Sequence, residues 1–172
     1  MNNIFFNFKT HSKKIILVDE DENLVLEQDL CKKMSEISKY LNKSSVIVLI
    51  ADNCFEFIAG YAASLNLTNT VTILLDKSFS KNYLENIIKK FKPNYIFTPK
   101  NINFDNININ GSQNFQKYKI LKLNFDISRK INNKNFLLLS TSGTTESPKF
   151  VRLSKKNILN NTLKIINYLK IK

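Results

Sequence analysis

The chain has 172 residues, 43% hydrophobic and 23% charged, which suits a soluble globular protein with one core and leaves no apolar run long enough to span a membrane. Its formal charge is +12, yet 24 of the 26 basic residues are Lys and only Arg129 and Arg152 are Arg. That balance argues against a nucleic-acid partner, because phosphate and base recognition favours the forked guanidinium.

Elements follow one another in a regular alternation. Ile15 to Val18 and Leu24 to Leu26 read as a hairpin around the acidic turn Asp19 to Asn23. Leu30, Met34, Ile37 and Leu41 then fall at helical spacing. Val46 to Ile50 is a continuous apolar run of strand length, the pattern of a strand covered on both faces. Phe55, Ile58, Ala62 and Leu65 form a second helical stripe, Val71 to Leu75 a second buried strand, and Leu84, Ile87, Ile88 and Phe91 a third helix. Pro93 ends that helix, and Tyr95 to Phe97 is a short strand.

From Pro99 to Gln116 the chain is polar and rich in Asn, and it reads as a surface loop, with a small edge strand as the alternative. Lys119 to Leu123 and Phe136 to Leu139 are further strands, and Phe150 to Leu153 is another. Ser154 is placed to cap a last helix that carries Ile158, Leu163, Ile166 and Leu169. Strands alternating with helices imply an α/β fold of three layers, with a mainly parallel sheet and helices on both faces.

Charge is unevenly spread. Residues 1–75 carry a net −2 and residues 76–172 a net +14. A triphosphate substrate or an acidic remainder of the protein would match the basic half. Met1 to Lys14 lacks a signal-peptide layout, and Cys31 and Cys54 show no metal or redox spacing, so they read as reduced, buried thiols in a cytoplasmic protein. His11 is the only histidine, and nothing joins it to a Ser or Cys nucleophile.

One segment carries chemistry. Leu138-Leu139-Ser140-Thr141-Ser142-Gly143-Thr144-Thr145-Glu146-Ser147-Pro148-Lys149 follows a buried strand and is dense in hydroxyls. Such a loop can offer several N–H groups and hydroxyls to one anion, with a Lys to balance charge. It is not the loop of the P-loop NTPases, which needs a second glycine followed by Lys and Ser or Thr. The chain also holds no G-x-G-x-x-G, its glycines being Gly60, Gly111 and Gly143.

The segment resembles the phosphate-binding signature of the adenylate-forming superfamily: acyl-CoA synthetases, peptide-synthetase adenylation domains and luciferases. Leu138, Thr141, Ser142, Gly143, Thr144, Thr145, Pro148 and Lys149 fit it, as do Val151-Arg152-Leu153-Ser154 and Asn157 beyond. The opening hairpin and helix, then Asp52-Asn53-Cys54-Phe55-Glu56-Phe57 and the alternating units to Pro99, are similar to that family's N-terminal order. The fold implied is the first subdomain of these enzymes.

The resemblance implies that the loop holds the β- and γ-phosphates of ATP while a carboxylate attacks the α-phosphorus. Thr141, Ser142, Thr144 and Thr145 would donate around Gly143, and Lys149 would offset charge on the departing pyrophosphate. It further implies Mg²⁺ with the ATP, a carboxylic acid substrate, and CoA or a carrier thiol as acceptor. No residue of the chain is assigned as catalytic or as a metal ligand.

Two residues depart from the pattern. Glu146 stands where the family has glycine, and a positive φ there would cost roughly 1–2 kcal/mol. Its carboxylate would repel a triphosphate, or point outward, or assist Mg²⁺. Lys155 stands where the family often has His. The family's later motifs for adenine, ribose and the acyl group do not occur between Met1 and Lys172. Residues 1–172 are therefore expected to be an incomplete N-terminal domain of an AMP-dependent synthetase or ligase, without complete catalysis alone. The alternatives are a subunit of a split ligase completed by a second chain, and a non-catalytic nucleotide- or partner-binding module.

Overall fold

The computed structural model describes residues 8–18, 22–104, 107–125, 131, 136–140 and 149–171. Chain order is β1 (Ile15–Val18), β2 (Leu24–Leu26), α1 (Glu27–Ser38), β3 (Val46–Ala51), α2 (Phe55–Asn66), β4 (Val71–Asp76), α3 (Lys81–Phe91), β5 (Tyr95–Pro99), β6 (Ile109–Asn114), β7 (Tyr118–Leu123), β8 (Leu137–Ser140), β9 (Phe150–Leu153) and α4 (Lys155–Leu169). The hairpin β1–β2 stands apart, and the other seven strands form one sheet in the order β6-β7-β5-β3-β4-β8-β9. Its centre, β5-β3-β4-β8, is parallel, while β6, β7 and β9 add antiparallel margins. The expected α/β fold with a mainly parallel centre is thus present, and β3, β4 and β8 lie side by side within it.

Continuous apolar runs give the central strands because both sheet faces are covered. Along β3, Ile47 and Leu49 join the cluster under α1 and α2, whereas Val48 and Ile50 join the cluster under α3. The strand order explains this. The chain steps from β3 to β4 through α2, then returns across β3 to β5 through α3, so the two helices cover opposite faces. The turn from α3 into β5 is fixed by its sequence: Lys92 is left-handed at φ 44°, its N–H donates to the Ile88 carbonyl, and Pro93 prevents another turn.

Two expectations are corrected. Ile109–Asn114 is an edge strand, not a loop; its backbone pairs with β7 although its side chains are mostly exposed. In α2, Ala62 and Leu65 are buried, but Phe55 and Ile58 are half-buried. Glu56, Ala59, Gly60, Ala63 and Ser64 complete the inward face instead; the run of small residues from Ala59 to Ser64 lets the helix sit close to the sheet. Of the two thiols, Cys54 is buried and Cys31 only half-buried, both free, and His11 is exposed.

Candidate functional site

Parallel strands bring the loops after β3, β4 and β8 to one end of the sheet, the end where ligands bind in open α/β folds. The hydroxyl-rich segment starts there. Leu138 lies in β8, which ends at Ser140; β9 begins at Phe150, and these two residues are the closing pair of the β8–β9 ladder. Thr141, Ser142, Gly143, Thr144 and Thr145, with Glu146, Ser147 and Pro148, lie outside the described residues. Lys149 is described, exposed, and one residue short of β9.

The stem of the segment is held from below by α3. The Tyr83 hydroxyl lies 2.7 Å from Ser140 Oγ, and the Phe91 and Phe150 rings meet edge to face at 5.1 Å. On the neighbouring loops, the Lys77 ammonium donates to Asp52 Oδ1 at 2.7 Å, joining the ends of β3 and β4. That hydrogen bond holds the Asp52 carboxyl below its usual range. Asp76 is lowered too, by the Ser78 hydroxyl at 2.6 Å and the Ser78 N–H at 2.9 Å. Charge at this end is therefore mixed, with Asp52 paired to Lys77, Asp76 held by Ser78, and Lys149 added by the candidate segment.

At the far end of β8 the chain has turned back. Ser154 and Asn157 cap α4 reciprocally, with Ser154 Oγ accepting from the Asn157 N–H and Asn157 Oδ1 accepting from the Ser154 N–H. Lys155 places its ammonium 4.8 Å from the centre of the Phe136 ring, a cation–π contact that ties the first turn of α4 to β8.

The donor chemistry of the segment, hydroxyls with one ammonium, fits a polyphosphate. Mg²⁺ has no such set of its own: among the described residues no three His, Cys, Asp or Glu gather to hold a metal. A metal here would be carried chiefly by phosphate oxygens. A separate cavity of about 340 Å³ opens beside the start of α2, lined by Leu17, Val25, Asn53, Cys54 and Ile58 among others. Burial pushes the Cys54 thiol up, which disfavours the thiolate a nucleophile requires. Sequence reasoning missed Tyr83 and the Asp52–Lys77 pair. The rule that functional loops leave the carboxyl ends of parallel strands would have pointed to the latter.

No protein-family model and no curated protein matches the sequence. Solved structures do match. O-succinylbenzoate-CoA synthetase (MenE) from Bacillus subtilis, in complex with its acyl-adenylate intermediate, superposes with a TM-score of 0.69 at 16% identity over 93% of this chain. ATP-bound MatB from Rhodopseudomonas palustris gives 0.65 at 12% over 94%, and a four-domain nonribosomal peptide synthetase bound to AMP and glycine gives 0.64 at 17% over 93%. The chain has their fold. It spans 44%, 36% and 12% of those three chains respectively, so it corresponds to part of each. These neighbours are adenylate-forming enzymes, the group that the Leu138–Lys149 segment resembles. Among the described residues no helix is long and apolar enough to cross a membrane.

Proposed function

We propose that residues 1–172 form the leading α/β unit of an ATP-dependent ligase that activates a carboxylic acid as acyl-AMP. The observation that carries this reading is positional. A segment with the family's phosphate-binding pattern leaves the carboxyl end of a central parallel strand, in a fold shared with MenE and MatB over at least 93% of the chain. The segment 141–149 would take the β- and γ-phosphates of ATP, with Mg²⁺ bound to the same phosphates. Hydroxyls of Thr141, Ser142, Thr144 and Thr145 would donate around Gly143, and the Lys149 ammonium would balance charge as pyrophosphate departs. Its contribution is positioning and electrostatic stabilisation. In the whole enzyme the acyl group would pass to CoA or a carrier thiol, in the cytoplasm.

Adenine, ribose and acid contacts are assigned to polypeptide outside residues 1–172. The uncovered α4, none of whose residues is buried and whose Leu163 and Leu169 are 56% and 59% exposed, supports further polypeptide packing here, either a continuation of this chain or a complementing one. The test is ATP–pyrophosphate exchange with a panel of carboxylic acids, using this chain alone and together with the polypeptide encoded directly downstream. Exchange only in the mixture, abolished or much reduced by Lys149→Ala, is expected. Exchange by the chain alone would show a self-contained enzyme, and tight nucleotide binding with no exchange in either sample would show a non-catalytic module.

A further inference from the structure

We propose that the uncovered side of α4 is a docking surface for a second polypeptide that presents an acidic amphipathic helix. No residue of α4 is buried. Leu163, Ile165 and Leu169 are exposed, as are Tyr168 and, just beyond the helix, Ile171. Apolar residues exposed together on one element mark an interaction surface, unlike single ones scattered over a protein. The helix is well formed by its own chemistry. Ser154 and Asn157 cap its start, and Lys170, left-handed at φ 51°, closes its end with its N–H on the Ile166 carbonyl. Its 15 residues offer a face about 22 Å long.

Helical spacing puts Ile158, Leu159 and Ile166 together, and these are the half-buried residues of α4. Leu163 flanks them on one side and Ile165 on the other, with Leu169 one turn on from Ile165. Lys156 lies seven residues before Leu163 and so shares its stripe. From Phe150 to Ile171 the chain has five basic residues and no Asp or Glu. Lys155 is held over the Phe136 ring, while Arg152, Lys156, Lys164 and Lys170 are exposed. An apolar strip edged with cations is matched by aliphatic residues edged with carboxylates, and complementary charge selects the partner. A second copy fits worse, because it would set one basic α4 against another on a protein of net +12; self-association there is the weaker mode. A lipid surface fits worse by shape. An interfacial helix buries a whole apolar arc, and here the middle of the arc is already half-buried. This docking does not depend on the nucleotide chemistry proposed above, since α4 is uncovered whether or not segment 141–149 takes phosphate.

The experiment is fluorescence anisotropy of labelled, stapled helical peptides titrated with the full chain at low and physiological salt. One peptide carries Leu on one face with Glu beside it, the second has Gln for every Glu, and the third has Ala for every Leu. The Glu–Leu peptide is expected to bind with a Kd on the order of 10 μM that weakens as salt rises, and both others at least about tenfold more weakly. Leu163→Asn with Leu169→Asn should weaken it at least about tenfold at an unchanged unfolding temperature. Lys156→Gln with Lys164→Gln should weaken the Glu–Leu peptide and leave the Gln–Leu peptide alone. No binding of the Glu–Leu peptide overturns the proposal, and so does equal binding of the Ala peptide, which would mean unspecific attraction to a basic protein. Vesicles of phosphatidylcholine and phosphatidylglycerol that hold wild type but not the leucine variant would assign α4 to a membrane instead. A stable wild-type dimer in sedimentation, lost in the leucine variant, would assign it to a second copy. A chain extended by the residues encoded directly downstream that no longer binds the peptide would assign α4 to its own continuation. Each of these three results overturns the proposal as well.

Discussion

Gly60 sits where α2 rests on β5, and a Cβ built there would overlap the edge of the Phe97 ring. The Phe97 ring also packs against Phe115 and Tyr118, so it has little freedom to withdraw. Gly60→Ala is therefore expected to destabilise the fold by about 1–3 kcal/mol through overpacking, despite the better helix propensity of Ala, as urea unfolding would measure. Asn94 is a second anchor. Its Oδ1 accepts from the Val46 N–H at 2.9 Å and its Nδ2 donates to the Phe125 carbonyl at 3.2 Å, tying the start of β3 to the end of β7. Asn94→Ala strands part-buried backbone groups and should cost about 1–2 kcal/mol. The Asp52–Lys77 pair gives a small pH effect. Because the folded Asp52 pKa is lowered, its stabilisation is present above the ordinary carboxylate pKa near 3.8 and is lost as pH falls below that value. With both groups substantially exposed the contribution is at most about 1 kcal/mol and falls with salt. Asp52→Asn should flatten this acid limb of the stability curve at low ionic strength. At this scale the sequence was a partial guide. Pro93 announced a helix end and Ser154 a helix start through local chemistry, whereas the Tyr83–Ser140 contact depends on tertiary placement that no local spacing reveals.

Elements divide by whether their residues meet the core. The runs Val46 to Ile50 and Val71 to Leu75 were legible because β-branched and aliphatic residues fill both faces of β3 and β4. Ile109–Asn114 was not, because its Asn, Gly, Ser and Gln face solvent and only backbone pairing with β7 makes it a strand. The inward face of α2 was misread for the complementary reason: most of its buried residues are small, while periodicity drew attention to Phe55 and Ile58. In α4 the expected stripe exists but is not covered. Leu163 and Leu169 are exposed, as are Ile165 and Tyr168, while Ile158 and Ile166 are half-buried. Replacing Leu163 and Leu169 together by Lys should leave unfolding free energy within about 0.5 kcal/mol per site, since neither side chain is in the core. The same change should reduce self-association seen by sedimentation, and a large loss of stability instead would mean that α4 is packed in solution.

For the whole molecule, fold and site were legible to different degrees. The fold follows from alternating elements and is matched by adenylate-forming structures over nearly the full chain. The candidate site was legible as one segment, Leu138 to Lys149, because its hydroxyls, glycine and lysine form a pattern of their own, and β8 and β9 place its two ends at the carboxyl side of the sheet. What the sequence could not supply was the support around those ends, which comes from α3, distant in sequence. Binding there should be sensitive to salt, because the half of the chain bearing the segment carries a net +14 while the other half carries −2. The central claim, that segment 141–149 is a polyphosphate site, is tested most directly by calorimetric titration of pyrophosphate into wild type, Glu146→Gly and Lys149→Ala at low and at physiological salt. The account predicts tighter binding for Glu146→Gly, weaker binding for Lys149→Ala, and differences that shrink as salt rises; Glu146→Gly binding no better and Lys149→Ala no worse would contradict it.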